Sequence, residues 1–295
     1  MHHHTITAQT TLCCLLGNPV EHSLSPALHN ACFRHCGLDW VYVAFCVQDI
    51  GAAIAGIRAL GIRGASVTIP HKISAVRYLD SLDAAAQVVG SINTIVNDTG
   101  VLRGFNSDGL GALQALREHG HDPTGKRVTV LGSGGAARAI AITLALTARP
   151  ERLVIGGIVT EEMDRLKQDI GAASDCMVQT VTLTDEVLRE ILPETDILIN
   201  ATPVGMYPNV QKTPIPRNLL EKHHVVFDVV YNPRVTRLLA DARRAGARIV
   251  SGLEMFLNQA AVQFELWTGR PAPRAVMRRV VLNHLRLHQP RGKNP

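Results

Sequence analysis

Apolar residues in this chain switch between short β-branched runs and longer stretches at helical spacing. Leu12–Leu16 and Val41–Val47 read as buried strands, and Ala65–Thr68 as a third that Pro70 stops. Between them, Pro26–Cys36 and Ile50–Leu60 place apolar residues as a helix with one buried face does. Thr94–Val96 and Val101–Phe105 flank Asp98-Thr99-Gly100 and read as a hairpin. From Val128 the alternation is regular. Strands are predicted at Val128–Leu131, Leu153–Ile155, Ile197–Asn200, Val225–Val229 and Arg248–Val250, with helices to about Ala148 and over Glu161–Ile170 and Arg234–Ala245. Two helices close the chain, over Leu253–Trp267 and Pro273–Leu287.

Buried strands alternating with helices predict an α/β protein: an N-terminal α/β domain with a mixed sheet, then a Rossmann-like, doubly wound domain. A length of 295 residues suits two domains. The second opens on Gly132-Ser133-Gly134-Gly135-Ala136, which ends a β-branched strand and starts an Ala-rich helix. Gly132, Gly134, Gly135 and Ala136 let the backbone approach a pyrophosphate, and the helix start offers unpaired N–H groups to it. So many residues precede this loop that a nucleotide module is expected to follow one that binds something else.

A net charge of +5 suits small anionic ligands and gives no argument for nucleic acid. The longest apolar stretch, Ala139–Ala148, falls short of the ~20 residues that span a bilayer, and no membrane role is expected. The start of the chain lacks a signal-peptide pattern, so a cytoplasmic protein is expected. Its six cysteines form no Cys-x-x-Cys pair and read as reduced, buried thiols with no metal set. His2-His3-His4, a tag remnant or a native start, and the basic tail from Arg291 are given no function.

Several polar segments stand at the ends of strands or the starts of helices. Ser23 and Ser25, before Pro26, suit a small carboxylate or hydroxyl ligand, though a single Ser there reads first as a plain helix cap. Thr68 ends a strand and Lys72 follows it, where open α/β sheets bind ligands, or Lys72 is an ordinary solvated surface group. Asn93 and Asp108 read either as site residues or as loop and turn residues. Asn200–Met206, Tyr231-Asn232-Pro233 and Gly252–Gln259 are each weak signals alone.

Taken together, in order and spacing, His22–Pro26, Val67–Lys72, Gly104–Asp108, Gly132–Arg138, Asn200–Met206, Tyr231–Pro233 and Gly252–Gln259 resemble the shikimate dehydrogenase family over nearly the whole chain. The resemblance implies reversible NAD(P)-dependent reduction of 3-dehydroshikimate to shikimate. It makes Lys72 the acid/base group and Asp108 its partner. Free lysine is a poor base at neutral pH, so the site must give Lys72 access to a neutral amine. Ser23 and Ser25 would take the substrate carboxylate with Tyr231 beside them, while Thr68, Asn93 and Gln259 take ring hydroxyls. Gly132, Gly134, Gly135 and Ala136 would cradle the pyrophosphate. Met206, the backbone from Ala201 and Gly252 would complete the cofactor site. For Gln259 to reach substrate, the substrate domain must be discontinuous, 1–109 with 246–295, around a cofactor domain of 110–245.

Four positions depart from the family pattern. Ser66 and Ser107 replace Asn and Thr and keep a polar group, Ser66 with a shorter reach. Ile158 stands where NADP-using members carry the arginine that grips the 2′-phosphate, and Glu162 takes a second basic position. The resemblance therefore implies NADP, while these residues favour weak NADP use or NAD, with Arg138 available to offset some charge. Two other functions fit part of the pattern: a quinate or dual quinate/shikimate dehydrogenase, and a catalytically silent nucleotide-binding regulator. A monomer or homodimer is expected.

Overall fold

The computed structural model describes residues 5–21 and 23–287, so His22, His2–His4 and the tail from Arg291 lie outside the described residues. The first half runs β1 (Thr11–Gly17), α1 (Ser25–His35), β2 (Trp40–Cys46), α2 (Ile50–Ala59), β3 (Gly64–Val67), β4 (Ser81–Leu82), α3 (Ala84–Val89), β5 (Thr94–Asp98) and β6 (Val101–Phe105). The second runs α4 (Ser107–Glu118), β7 (Arg127–Leu131), α5 (Gly135–Thr143), β8 (Arg152–Gly157), α6 (Thr160–Ala173), β9 (Val178–Thr182) and α7 (Asp185–Ile191). It continues through β10 (Ile197–Asn200), β11 (Val225–Asp228), α8 (Arg237–Arg244), β12 (Arg248–Ser251), α9 (Gly252–Thr268) and α10 (Arg274–Leu287).

The chain forms two compact units. One holds the residues up to Ala86, Gly90–Phe105 and those from Ala260; the other holds Gln87–Val89 and Asn106–Gln259. The sheet of the first unit has the order β2-β1-β3-β5-β6-β4, with β5 antiparallel to β3 and β6. Leu16, Ile54, Ile57, Val67, Ile92 and Ile95 fill its core. Asp49 caps α2 by accepting from Ala52 N at 3.0 Å, and the hairpin turns through positive φ at Thr99 and Gly100. Trp267 packs against β3 and β5 of this sheet and donates from Nε1 to Ile95 O at 3.0 Å. It lies where a Cβ on Gly64 would come within 2.2 Å of the indole, so β3 has to be bare there.

The sheet of the second unit is wholly parallel, in the order β9-β8-β7-β10-β11-β12. That is a doubly wound dinucleotide fold, whose order reverses between β7 and β10, and ligands bind outside the strand ends at that reversal. The glycine loop follows β7 and the Ala201 segment follows β10, so both stand at the reversal.

Differences from the sequence reading are local. The glycine helix ends as an α-helix at Thr143 and continues as one π turn over Leu144–Ala148. Arg234–Val235 stays outside α8, because Thr236 caps that helix by accepting from Leu239 N at 3.3 Å. β9 gave no sequence signal because it is an edge strand with no fully buried position, and β4 and α3 are too short for periodicity to show.

Two glycines give opposite expectations. Gly64→Ala drives a methyl into Trp267 and should lower stability by roughly 1–3 kcal/mol. Gly56→Ala, within α2 and with nothing within 4 Å of its new Cβ, should raise it by about 0.5–1 kcal/mol. Thermal unfolding of the two variants checks both signs.

Candidate active site

In the first unit, the segment carrying Lys72 is pinned by its backbone. β3 ends at Val67; Thr68 N donates to Leu16 O and His71 N to Thr68 O, each at 2.9 Å. The buried His71 donates from Nε2 to Val47 O at 2.8 Å, and Lys72 O accepts from Ile92 N at 2.9 Å. Lys72 itself is half-buried, and Thr68 beside it likewise.

Ser25 is buried as the first residue of α1, and its N–H donates to Ser23 Oγ at 3.3 Å. Behind it runs a buried relay. Tyr42 OH donates to Ser66 Oγ (2.7 Å), and Ser66 Oγ donates to Gln263 Oε1 (2.9 Å). Gln263 Nε2 donates to Asn93 O (3.1 Å) and Thr94 Oγ1 (3.0 Å), and Thr94 Oγ1 donates to Asn93 Oδ1 (2.8 Å). Burial pushes the Tyr42 phenol well up, against hydrogen bonds to the hydroxyls of Ser66 and Ser25 that pull it down. His29 stacks on Tyr42 at 4.7 Å, and its burial pushes the imidazole down to about 3, so it is neutral at physiological pH. The Ser66 hydroxyl is thus engaged within this relay between Tyr42 and Gln263. Asn93 is joined to Ser66 through Gln263. Sequence reasoning missed Tyr42, His71 and Gln263, since a Tyr in a strand and a Gln in an apolar helix read as ordinary packing.

In the second unit, Asn106 caps α4 by accepting from Asp108 N at 3.1 Å, and Asp108 is buried in the first turn. A Cβ on Gly109 would fall 1.9 Å from Thr143 Oγ1, so α4 and α5 touch beside Asp108. Likewise a Cβ on Gly111 would fall 2.9 Å from Gln259 N, which seats α9 on α4 at Gln259; the Gln259 amide donates to Phe256 O at 3.2 Å.

Gly132 turns with φ +109°, and its N–H donates to Gly156 O at 2.6 Å. A Cβ there would press on Ala201 O at 3.2 Å. Gly134 and Gly135 begin α5, which has no side-chain cap, and a Cβ at either would meet nothing within 4 Å. Ala136 follows, half-buried. Open space above uncapped N–H groups fits a dinucleotide pyrophosphate.

The segment after β10 is tied to a buried carboxylate. Asn200 Oδ1 accepts from Thr202 N (3.1 Å) and Thr202 Oγ1 (2.7 Å), and Thr202 Oγ1 accepts from Val204 N (3.2 Å). Asn200 Nδ2 donates to Asp228 Oδ1 (2.9 Å), and Thr236 Oγ1 donates to Asp228 Oδ2 (2.5 Å). Burial raises the Asp228 carboxyl to about 6 even against these donors. Ala201 is therefore fixed, whereas Met206 is exposed at the end of the segment. Tyr231 stacks on Phe256 at 5.0 Å, and burial raises its phenol. A Cβ on Gly252 would fall 2.3 Å from Val229 O, so α9 starts in contact with the end of β11. Sequence reasoning missed Asp228, which no spacing distinguishes from a strand-end turn residue.

A doubly wound parallel sheet with a bare glycine turn at its reversal, in a chain whose other unit holds buried hydroxyls and a backbone-pinned lysine segment, defines a two-unit dinucleotide-binding protein. Residues 15–95 match the shikimate dehydrogenase substrate binding domain, and residues 252–282 the shikimate 5′-dehydrogenase C-terminal domain. A shikimate dehydrogenase (NADP(+)) of Moorella thermoacetica is 47% identical over 278 residues, covering 94% of each chain. A shikimate 5-dehydrogenase of Listeria monocytogenes, solved in complex with shikimate and NAD, superposes with a TM-score of 0.90 at 40% identity, covering 94% of this chain and 98% of that one. A shikimate dehydrogenase in complex with NADP+ superposes with a TM-score of 0.88 at 38% identity, covering 95% and 98%. The chain belongs to the shikimate dehydrogenase family. No helix among the described residues is long and apolar enough to cross a membrane.

The raised Asp228 carboxyl sets a pH dependence. Its folded-state value exceeds the usual 3.8, so its contribution to stability is fully present below about pH 3.8 and is lost as pH rises through about 6. Across that window the protein should lose on the order of 2–3 kcal/mol relative to Asp228→Asn, which has nothing to ionise. Paired thermal melts across the window check this: the difference between the two proteins must move in favour of Asp228→Asn as pH rises.

Proposed function

We propose that this chain is a shikimate dehydrogenase that interconverts 3-dehydroshikimate and shikimate with a nicotinamide cofactor. The observation that carries the reading is the pinned Lys72 segment, lying inside the stretch that matches the family's substrate binding domain. Lys72 takes the proton of the substrate's secondary hydroxyl in oxidation and returns it in reduction. Asp108 orients Lys72 and holds a neighbouring hydroxyl. Ser23 and Ser25 receive the carboxylate with Tyr231, and Thr68, Asn93 and Gln259 hold ring hydroxyls. The buried relay from Tyr42 to Asn93 supports this, since it fixes the rotamers on which the Ser25 and Asn93 contacts depend. Gly132, Gly134, Gly135 and Ala136 hold the pyrophosphate, while Ala201, Met206 and Gly252 line the nicotinamide end. When bound, the nicotinamide accepts or donates the hydride.

Six free cysteines support a reducing, cytoplasmic setting, and a monomer or homodimer accords with the reading. Retention of Lys72 and Asp108 weighs against a silent regulator. Lys72→Ala should lower kcat for shikimate oxidation by about 10²–10⁴-fold while leaving KM for shikimate nearly unchanged. Steady-state rates read from nicotinamide absorbance check this. A raised KM with kcat kept would make Lys72 a binding residue only, and faster turnover of quinate than of shikimate would replace the proposed substrate.

A further inference from the structure

The end of β8 carries a corner that differs from a phosphate clamp. β8 stops at Gly157, and the next residue, Ile158, is 82% exposed and uncharged. α6 then opens with Glu161 and Glu162 in its first turn. Ser133, inside the glycine loop, donates to Glu162 Oε2 at 2.6 Å. A Cβ on Gly157 would stand 3.4 Å from Ser133 Oγ and 2.9 Å from Met163 Sδ, so the loop and α6 meet over the end of the strand. A carboxylate is thereby held against the glycine loop by one oxygen, on an exposed side chain.

Arg138, the basic residue of the glycine helix, does not neutralise this corner. Its guanidinium donates to Asp169 Oδ2 at 2.5 Å, to Val88 O at 3.0 Å and to the Val89 carbonyl. In a doubly wound site the adenosine ribose lies by the strand that follows the glycine helix. An acidic side chain there accepts from the free 2′-hydroxyl, whereas an arginine is what accommodates a 2′-phosphate. A dianionic phosphate at Glu162 would meet a like charge with no compensating donor from Ile158.

We propose that the chain selects NAD(H) over NADP(H), with Glu162, held by Ser133, as the discriminating residue. This rests on the dehydrogenase reading and adds the identity of the cofactor. The test is equilibrium calorimetry on the full chain, titrating NAD+ and NADP+, and 5′-AMP and 2′,5′-ADP as probes of the adenosine half. NAD+ should bind about tenfold or more tighter than NADP+, and 5′-AMP tighter than 2′,5′-ADP. Glu162→Gln should narrow the gap by strengthening NADP+ binding, and the pair Ile158→Arg with Glu162→Lys should reverse the order. Both positions are exposed, and thermal unfolding checks that the variants fold. NADP+ binding as tight as NAD+ in the unaltered protein, or an unchanged ratio in Glu162→Gln, overturns this inference alone. Binding of neither dinucleotide overturns the dehydrogenase reading and this inference with it.

Discussion

The hydrogen bond between Asn200 and Asp228 joins the C-terminal ends of β10 and β11, and the cofactor side of the fold depends on it. Parallel strands end in register, so their loops crowd at one edge and need polar cross-links to hold distinct shapes. Asp228 accepts from Asn200, from Thr236 at the start of α8 and from Val230 N at 3.1 Å, which ties two loops and a helix cap to one carboxylate. From Asn200 the order passes through Thr202 to Val204 and places Ala201 under Gly132. The cost is a buried acid whose ionisation opposes folding near neutrality.

The first unit solves a comparable problem in its core. Tyr42, Ser66, Gln263, Asn93 and Thr94 bury hydroxyls and amides that would destabilise the sheet if left unsatisfied, and each is bonded to the next. Such a relay removes freedom from side chains at the C-terminal end of β3 and the start of β5. It also explains how Ser66 is tolerated: Tyr42 supplies a long hydroxyl that reaches the short serine.

At the end of β8, the same backbone that makes a dinucleotide cradle is compatible with either cofactor, and the proposed choice between them falls to side chains around Gly157. Ile158 and Glu162 could be read directly from the chain. That Glu162 turns back to Ser133, and that Arg138 turns away to Asp169 and the Val88 and Val89 carbonyls, could not, because each partner is distant in sequence.

The sequence by itself determined the alternation of elements, the mixed and then parallel sheets, the glycine cradle, and the candidates Ser23, Ser25, Lys72 and Asp108. These are set by local periodicity, by proline and glycine placement and by motifs whose chemistry is carried within a few residues. Only the tertiary structure decided the roles of His71, Tyr42, Gln263 and Asp228, and which partner each polar group takes. Burial and hydrogen-bond pairing arise when strands far apart in the chain become neighbours. The same Asp at the end of a strand is a solvated turn residue or a buried anchor according to what packs over it.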